Sequence, residues 1–151
     1  AVNVSARQFA DPGFMACVRK ALDLSGLNPI HLELELTESV LMAQPEDSAL
    51  LLKNLRQLGI RLAIDDFGTG YSSLAYLQKF PLDTLKIDKR FVDGVAYRSG
   101  DEAIVRAIIA LANTLGLTTL AEGVETEQQL SVLEALGCHL YQGFLLGRPV
   151  P

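Results

Sequence analysis

The sequence predicts a parallel α/β protein: an incomplete TIM-type (β/α)8 barrel of about six strands and five helices. Three observations predict it. Short β-branched or apolar runs alternate with longer segments of helical periodicity along the whole chain. Glycine or proline stands at the joints between them. Each short run also carries a polar or charged residue at its carboxyl end.

The first run is Val2-Asn3-Val4, and a helical segment follows from about Pro12 to Leu24. The second run, His31 to Leu36, precedes a helix over about Pro45 to Leu58. Arg61 to Phe67 is the third strand, followed by a shorter helix from Ser72 to Lys79. Thr84 to Asp88 and Thr118 to Glu122 flank a helix over Asp101 to Leu115. A last helix, Glu125 to Leu136, leads into the run His139 to Gly143. Gly26, Gly59, Gly116 and Gly137 follow helical segments, where a left-handed cap favours glycine. Pro12 and Pro45 stand near helix starts, where a missing amide hydrogen costs least. No linker or low-complexity tract interrupts the order, so residues 1–151 are predicted to be one domain.

An open doubly wound sheet and part of a barrel both accommodate this alternation. A barrel gathers its chemistry at the carboxyl ends of its strands. Those ends read, in order, Asn3, Glu35, Asp65 with Asp66, Lys86 with Asp88, Glu122 and Gln142. One such residue is an ordinary solvated strand end. A succession of them is poorly explained that way, because carboxylates are rarely buried unpaired.

Composition narrows the function. The chain is 49% hydrophobic and 21% charged, which is globular usage. A net charge of −5 with no basic stripe excludes a nucleic-acid polymer as partner. Cys17 and Cys138 fit no CxxC pattern and read as reduced thiols of a cytoplasmic protein. The apolar runs are too short to span a bilayer and no signal peptide is visible. The strand-like opening AVNVSA without an initiator Met reads as a piece of something longer.

Glu35, Asp65, Asp66 and Glu122 at one mouth would repel one another, and a cation resolves this more simply than protonation. Oxygen donors select Mg²⁺ or Mn²⁺, and Asn3 adds a neutral carbonyl oxygen. Two such ions about 3.5–4 Å apart suit in-line displacement at phosphorus. Lys86 fits beside them as a donor to the attacking hydroxide or a phosphate oxygen. Its plainer role is an ion pair with Asp88 or a nearby carboxylate, and the two are compatible.

Other motifs fade. Asp66-Phe67-Gly68 matches the kinase metal-binding triplet, but no Gly-rich phosphate loop or HRD loop accompanies it. Gly68-Thr69-Gly70 lacks the P-loop pattern. His31 and His139 fall near strand beginnings, at the opposite face of a barrel, and read as structural or solvated. No serine or cysteine nucleophile has a histidine base.

Assembled, these residues resemble the EAL-domain family of bacterial cyclic-di-GMP phosphodiesterases. The matching text is NVSARQF from Asn3, ELTES from Glu35, DDFGTGYSSL from Asp65, LKID from Leu85, AEGVE from Ala121 and YQGFLLGRP from Tyr141. The resemblance implies a two-metal site that opens the cyclic dinucleotide to linear pGpG. It implies that Asn3, Glu35 and Asp65 hold one metal, with Asp65 bridging, and that Asp66 and Glu122 serve the second. Lys86 would position or activate the attacking water, with Glu122 also counted as catalytic, and Gln142 would orient water or substrate. Glu38 would anchor the loop after the paired aspartates, with Asp88 and Glu125 at the same mouth. Glu125 reads equally as a capping residue beside a helix start.

The family's Glu-Ala-Leu signature lies upstream of the block at Asn3. Glu134-Ala135-Leu136 is a decoy inside a helical segment. The resemblance therefore implies the C-terminal two-thirds of the domain, lacking one metal ligand and two strands and impaired or inactive in isolation. It also implies sensor or GGDEF-type domains upstream in a parent that is membrane-tethered or not. A competing reading is a module that binds cyclic-di-GMP without cleaving it. Unclosed strand edges at Val2–Val4 and Leu140–Gly143 predict a homo-oligomer or swapped assembly.

Overall fold

The computed structural model describes residues 1–68 and 74–148. Ser72 and Ser73, where the third helical segment was expected to begin, lie outside the described residues, as does Pro149. Contacts divide the chain into two compact units, Ala1–Ile64 with Gly70–Asp83, and Asp65–Thr69 with Thr84–Pro151.

In the first unit β1 (Val2–Asn3) is followed by α1 (Ala6–Phe9), α2 (Phe14–Ser25) and a 3₁₀ turn at Pro29–His31. Then come β2 (Glu33–Thr37), α3 (Glu38–Ala43), α4 (Pro45–Gln57), the start of β3 (Arg61–Phe67) and α5 (Leu74–Leu77). The alternation Glu-Leu-Glu-Leu-Thr makes β2 two-faced, with Leu34 and Leu36 buried and the glutamates half-buried. Pro45 opens α4, Glu46 and Asp47 occupy its first turn and Arg56 its last, each charge on the end its helix dipole favours. Leu41, Leu52, Leu55, Ile60 and Leu62 complete this unit's core.

The second unit holds the end of β3, β4 (Thr84–Ile87), α6 (Lys89–Val92), α7 (Ser99–Leu115), β5 (Thr118–Glu122), α8 (Glu127–Ala135) and β6 (Leu140–Gln142). In α7, Val105, Ile108, Ile109 and Ala112 recur at helical spacing and bury one stripe. Gly116 ends that helix at φ 71°, the left-handed cap expected of it. Leu85, Ile87, Val92, Ala121, Val124 and Leu133 fill the core.

The strands follow one another in the sheet in chain order, β1 through β6. β1–β2, β4–β5 and β5–β6 pair in parallel. A doubly wound sheet reverses its strand order at a switch point. Chain order without reversal is the barrel arrangement, so the choice left open by the alternation falls to an incomplete (β/α)8 barrel.

The helices differ in number from the expected five. Among the described residues there are eight α-helices, because α1, α3 and α6 span four to six residues each. Such helices are too short to repeat an amphipathic period. α1 is nevertheless closed by a capping box between Ser5 and Gln8. The helix placed from Glu125 begins instead at Glu127, because Thr126 and Gln129 form its capping box. No helix among the described residues is long and apolar enough to cross a membrane.

Candidate active site

Neighbouring residues of a regular strand point to opposite faces, yet carboxylate oxygens of Asp65 and Asp66 lie within 4.8 Å of each other. The backbone explains this. Asp66 has φ 53°, the one positive φ outside glycine among the described residues. Asp is among the few residues that tolerate this conformation, at a cost on the order of 1 kcal/mol. The Asp66 N–H donates to Asp65 Oδ1 at 2.9 Å, locking the corner. Gly68, at φ 94°, continues the turn.

Lys86 on β4 is register partner to Leu120, which lies two residues before Glu122 on the same face of β5. That register carries the lysine to the carboxylates. Its Nζ lies 3.1 Å from Asp65 Oδ1 and 2.7 Å from Glu122 Oε1, with the residue 4% exposed. Ligand oxygens of Asp65, Asp66 and Glu122 all fall within 4.8 Å of one another. Burial, then the charges of Asp65 and Asp88, push the Asp66 carboxyl above its ordinary pKa, while Lys86 and Arg90 pull the other way. Glu122 and Gln142 are register partners at the ends of β5 and β6, so Gln142 shares that strand end.

Around this cluster, Asp88 caps α6, accepting from Arg90 N–H at 2.7 Å. Glu125 forms an ion pair with Lys89, whose ammonium is held above its usual pKa by that hydrogen bond. Glu125 also donates its N–H to Gln129 Oε1, so its side chain is a partner of Lys89 and not the cap of α8. A pocket of about 240 Å³ opens here, lined by Lys89, Glu122, Glu125, Gln142 and Phe144 among others. Lys89 and Phe144 were not singled out from sequence. Each lies one or two residues beyond a strand-end motif, and that adjacency is the signal that finds them.

In the first unit, Asn3 and Glu35 are register partners at the ends of β1 and β2. Glu38 opens α3 and is buried, and the loop it was read as anchoring lies outside the described residues. A larger groove in this unit, about 640 Å³ and floored by Phe9, Met15, Val40, Ala43 and Leu51, contains none of the strand-end residues. His139 Nδ1 accepts from Thr119 N–H at 3.1 Å, and the His139 backbone N–H donates to Thr119 Oγ1 at 3.1 Å, which is a structural tie before β6. Cys138 beside it is buried, which raises its thiol pKa, whereas Cys17 is exposed.

Parallel strands in chain order, ending in converging carboxylates, define a barrel-class protein with an acidic site at its strand ends. More narrowly, the chain belongs to the EAL domain family, whose model matches residues 1–149. It is 53% identical over 151 residues to the bifunctional diguanylate cyclase/cyclic di-GMP phosphodiesterase MucR of Pseudomonas aeruginosa, and covers 22% of that protein. It is 48% identical to the cyclic di-GMP phosphodiesterase NbdA of the same organism, covering 19% of it. The chain thus spans about a fifth of the length of these relatives. Among solved structures, the PaMucR phosphodiesterase in complex with c-di-GMP superposes with a TM-score of 0.97 at 53% identity, over 99% of this chain and 61% of that one. A manganese/c-di-GMP complex of Klebsiella pneumoniae BlrP1 gives 0.88 at 35% identity, over 98% of this chain and 38% of that one.

Proposed function

We propose that this chain carries the phosphodiesterase site of an EAL domain and serves the metal-dependent hydrolysis of cyclic di-GMP to linear pGpG. The observation that carries this reading is the convergence of Asp65, Asp66 and Glu122 within 4.8 Å, with buried Lys86 paired to two of them. The relatives named as cyclic di-GMP phosphodiesterases support it, as do the c-di-GMP complexes of solved neighbours.

The donor set fits a hard divalent cation. Three carboxylates against one ammonium leave negative charge in excess, and an all-oxygen set favours Mg²⁺ or Mn²⁺ over softer ions. Manganese or calcium accompanies c-di-GMP in the BlrP1 complexes. Asp65, Asp66 and Glu122 would hold the metal, and resemblance to the family suggests Asn3 and Glu35 as further donors. When bound, a pair of such ions supplies Lewis acidity and a water acidic enough to be nucleophilic at neutral pH.

The chain's own groups do the rest. Hydrolysis to pGpG requires water to attack phosphorus opposite the departing ribose 3′ oxygen, with one proton passing to that oxygen. Lys86, held between Asp65 and Glu122, presents its ammonium to developing phosphoryl charge with little reorganisation. Gln142, in register with Glu122, offers an amide that can donate to or accept from water or substrate.

The full-length protein, assayed with Mg²⁺ or Mn²⁺, should yield pGpG. Asp65→Asn, Lys86→Met and Glu122→Gln should each lower turnover by about a hundredfold or more. Absence of turnover in the unsubstituted protein would sink the enzymatic reading. Tight c-di-GMP binding in EDTA without hydrolysis would replace it with a sensor.

A further inference from the structure

The groove of the first unit lies where its first four α-helices meet, and its walls are mixed in a particular way. Phe9 of α1, Met15 of α2, Val40 of α3 and Leu51 of α4 are each half-buried. All four leave apolar surface open to the same space of about 640 Å³, within one compact unit. The Phe9 ring is seated by Phe14, with ring centroids 6.2 Å apart and planes tilted by 59°. Met15 brings a flexible thioether that adapts to a ring edge. The polar part is one-sided in charge. Asp11 and Asp47 line the groove, and no lysine, arginine or histidine does so among the described residues. Ser48, only 2% exposed, adds a buried hydroxyl.

The plainer role of these carboxylates is local. Asp11 Oδ1 accepts from Gly13 N–H at 2.7 Å, and Asp47 lies in the first turn of α4, where the helix dipole favours it. Neither use exhausts the charge. One backbone N–H leaves the Asp11 charge in place, and a helix end offsets only about half an elementary charge, which Asp47 shares with Glu46. We propose that this groove binds a small organic cation, an amine on an aromatic body, with the ring against Phe9 and Met15 and the ammonium facing Asp11 and Asp47. Charge complementarity chooses the occupant. An anion meets two carboxylates and no cation, and a neutral ligand leaves both unanswered. An ammonium only donates, and the carboxylates and the Ser48 hydroxyl offer it acceptors. The volume falls in the small-molecule range, on the order of 300–1,000 Å³. The phosphodiesterase reading plays no part, because no strand-end residue lines this groove.

Phenylbutylammonium, neutral phenylbutanol and anionic phenylbutanoate share one apolar body and differ in charge. Titrated calorimetrically into the full-length protein, the cation should bind about tenfold more tightly than the alcohol, and the anion most weakly. Asp11→Asn keeps the oxygen that accepts from Gly13, and Asp47→Asn keeps a polar side chain at an exposed position, so both should fold. Each should weaken the cation by about threefold and the double variant by about tenfold, with the alcohol unchanged. Ala43→Phe, at an exposed position on the groove wall, should abolish binding of cation and alcohol alike. Thermal melts check that each variant is folded. Equal affinity for the three probes, or tighter binding of the anion, would overturn the proposal. So would unchanged affinity for the cation in the folded double variant, which would place its binding elsewhere. A groove covered by another part of the protein or by a second copy binds none of the probes, and that result overturns the proposal too.

Discussion

At Asp66 the backbone leaves the strand with φ 53°, and its carboxylate joins Asp65 and Glu122 instead of pointing to the far face. That placement has a cost in the metal-free protein. Burial and the charges of Asp65 and Asp88 raise the Asp66 pKa. A raised value means the folded state prefers the protonated form. The stability this confers is present below the unfolded pKa and is lost as pH rises through the folded one. At neutral pH, ionised Asp66 therefore opposes folding unless a cation offsets it. Asp66→Asn removes the charge, and Asn accepts the left-handed backbone as readily. In EDTA at pH 7 this variant should melt above the unsubstituted protein, with the gap closing below about pH 4. Mg²⁺ should raise the melting temperature of the unsubstituted protein and leave that of the variant unchanged. A lower melting temperature for Asp66→Asn at pH 7 would contradict the account.

Between elements, the join of the β5 and β6 loops depends on a position with no side chain. A Cβ at Gly143 would lie 2.1, 2.2 and 2.7 Å from the Val124 oxygen, nitrogen and carbonyl carbon, all of them backbone atoms that cannot rotate away. Gly143→Ala should therefore cost about 1–3 kcal/mol, by analogy with overpacked cores, and disturb Gln142 beside it. An unchanged urea midpoint would refute this. The same scale shows what the sequence can tell. β3 and β5 fall at Arg61–Phe67 and Thr118–Glu122 as read, because apolar runs bounded by turn residues leave little freedom. Asp65, Asp66 and Glu122 could be grouped from strand-end position alone. Pairing of Lys86 with a nearby carboxylate was legible too, but its choice of Asp65 and Glu122 was not, nor were the Lys89–Glu125 pair and the Gly143 contact, since each depends on register or loop approach across residues apart in the chain. The α1 helix was legible in principle through the Ser5–Gln8 capping box, but four residues offer no periodicity to prompt the search.

Among the described residues, the strand order leaves β1 and β6 with a strand neighbour on one side only. Each therefore carries backbone donors and acceptors that face no neighbouring strand, which is a template for pairing with another chain. Apolar side chains accompany both, since Val2 is 52% and Leu140 48% exposed, and Phe144 and Leu146 follow β6 on the surface. The counterweight is length, because β1 has two residues and β6 three, and short edges pair weakly. We propose on these grounds that residues 1–151 self-associate in a concentration-dependent way, through edge pairing or exchange of a terminal strand. Light scattering coupled to size exclusion should show a mass rising above that of the monomer as concentration increases. Leu140→Lys places a charge on the β6 edge and should return the protein to monomer without lowering its melting temperature. A stable monomer at high concentration would refute the assembly, and persistence of the larger species in Leu140→Lys would move the contact away from β6.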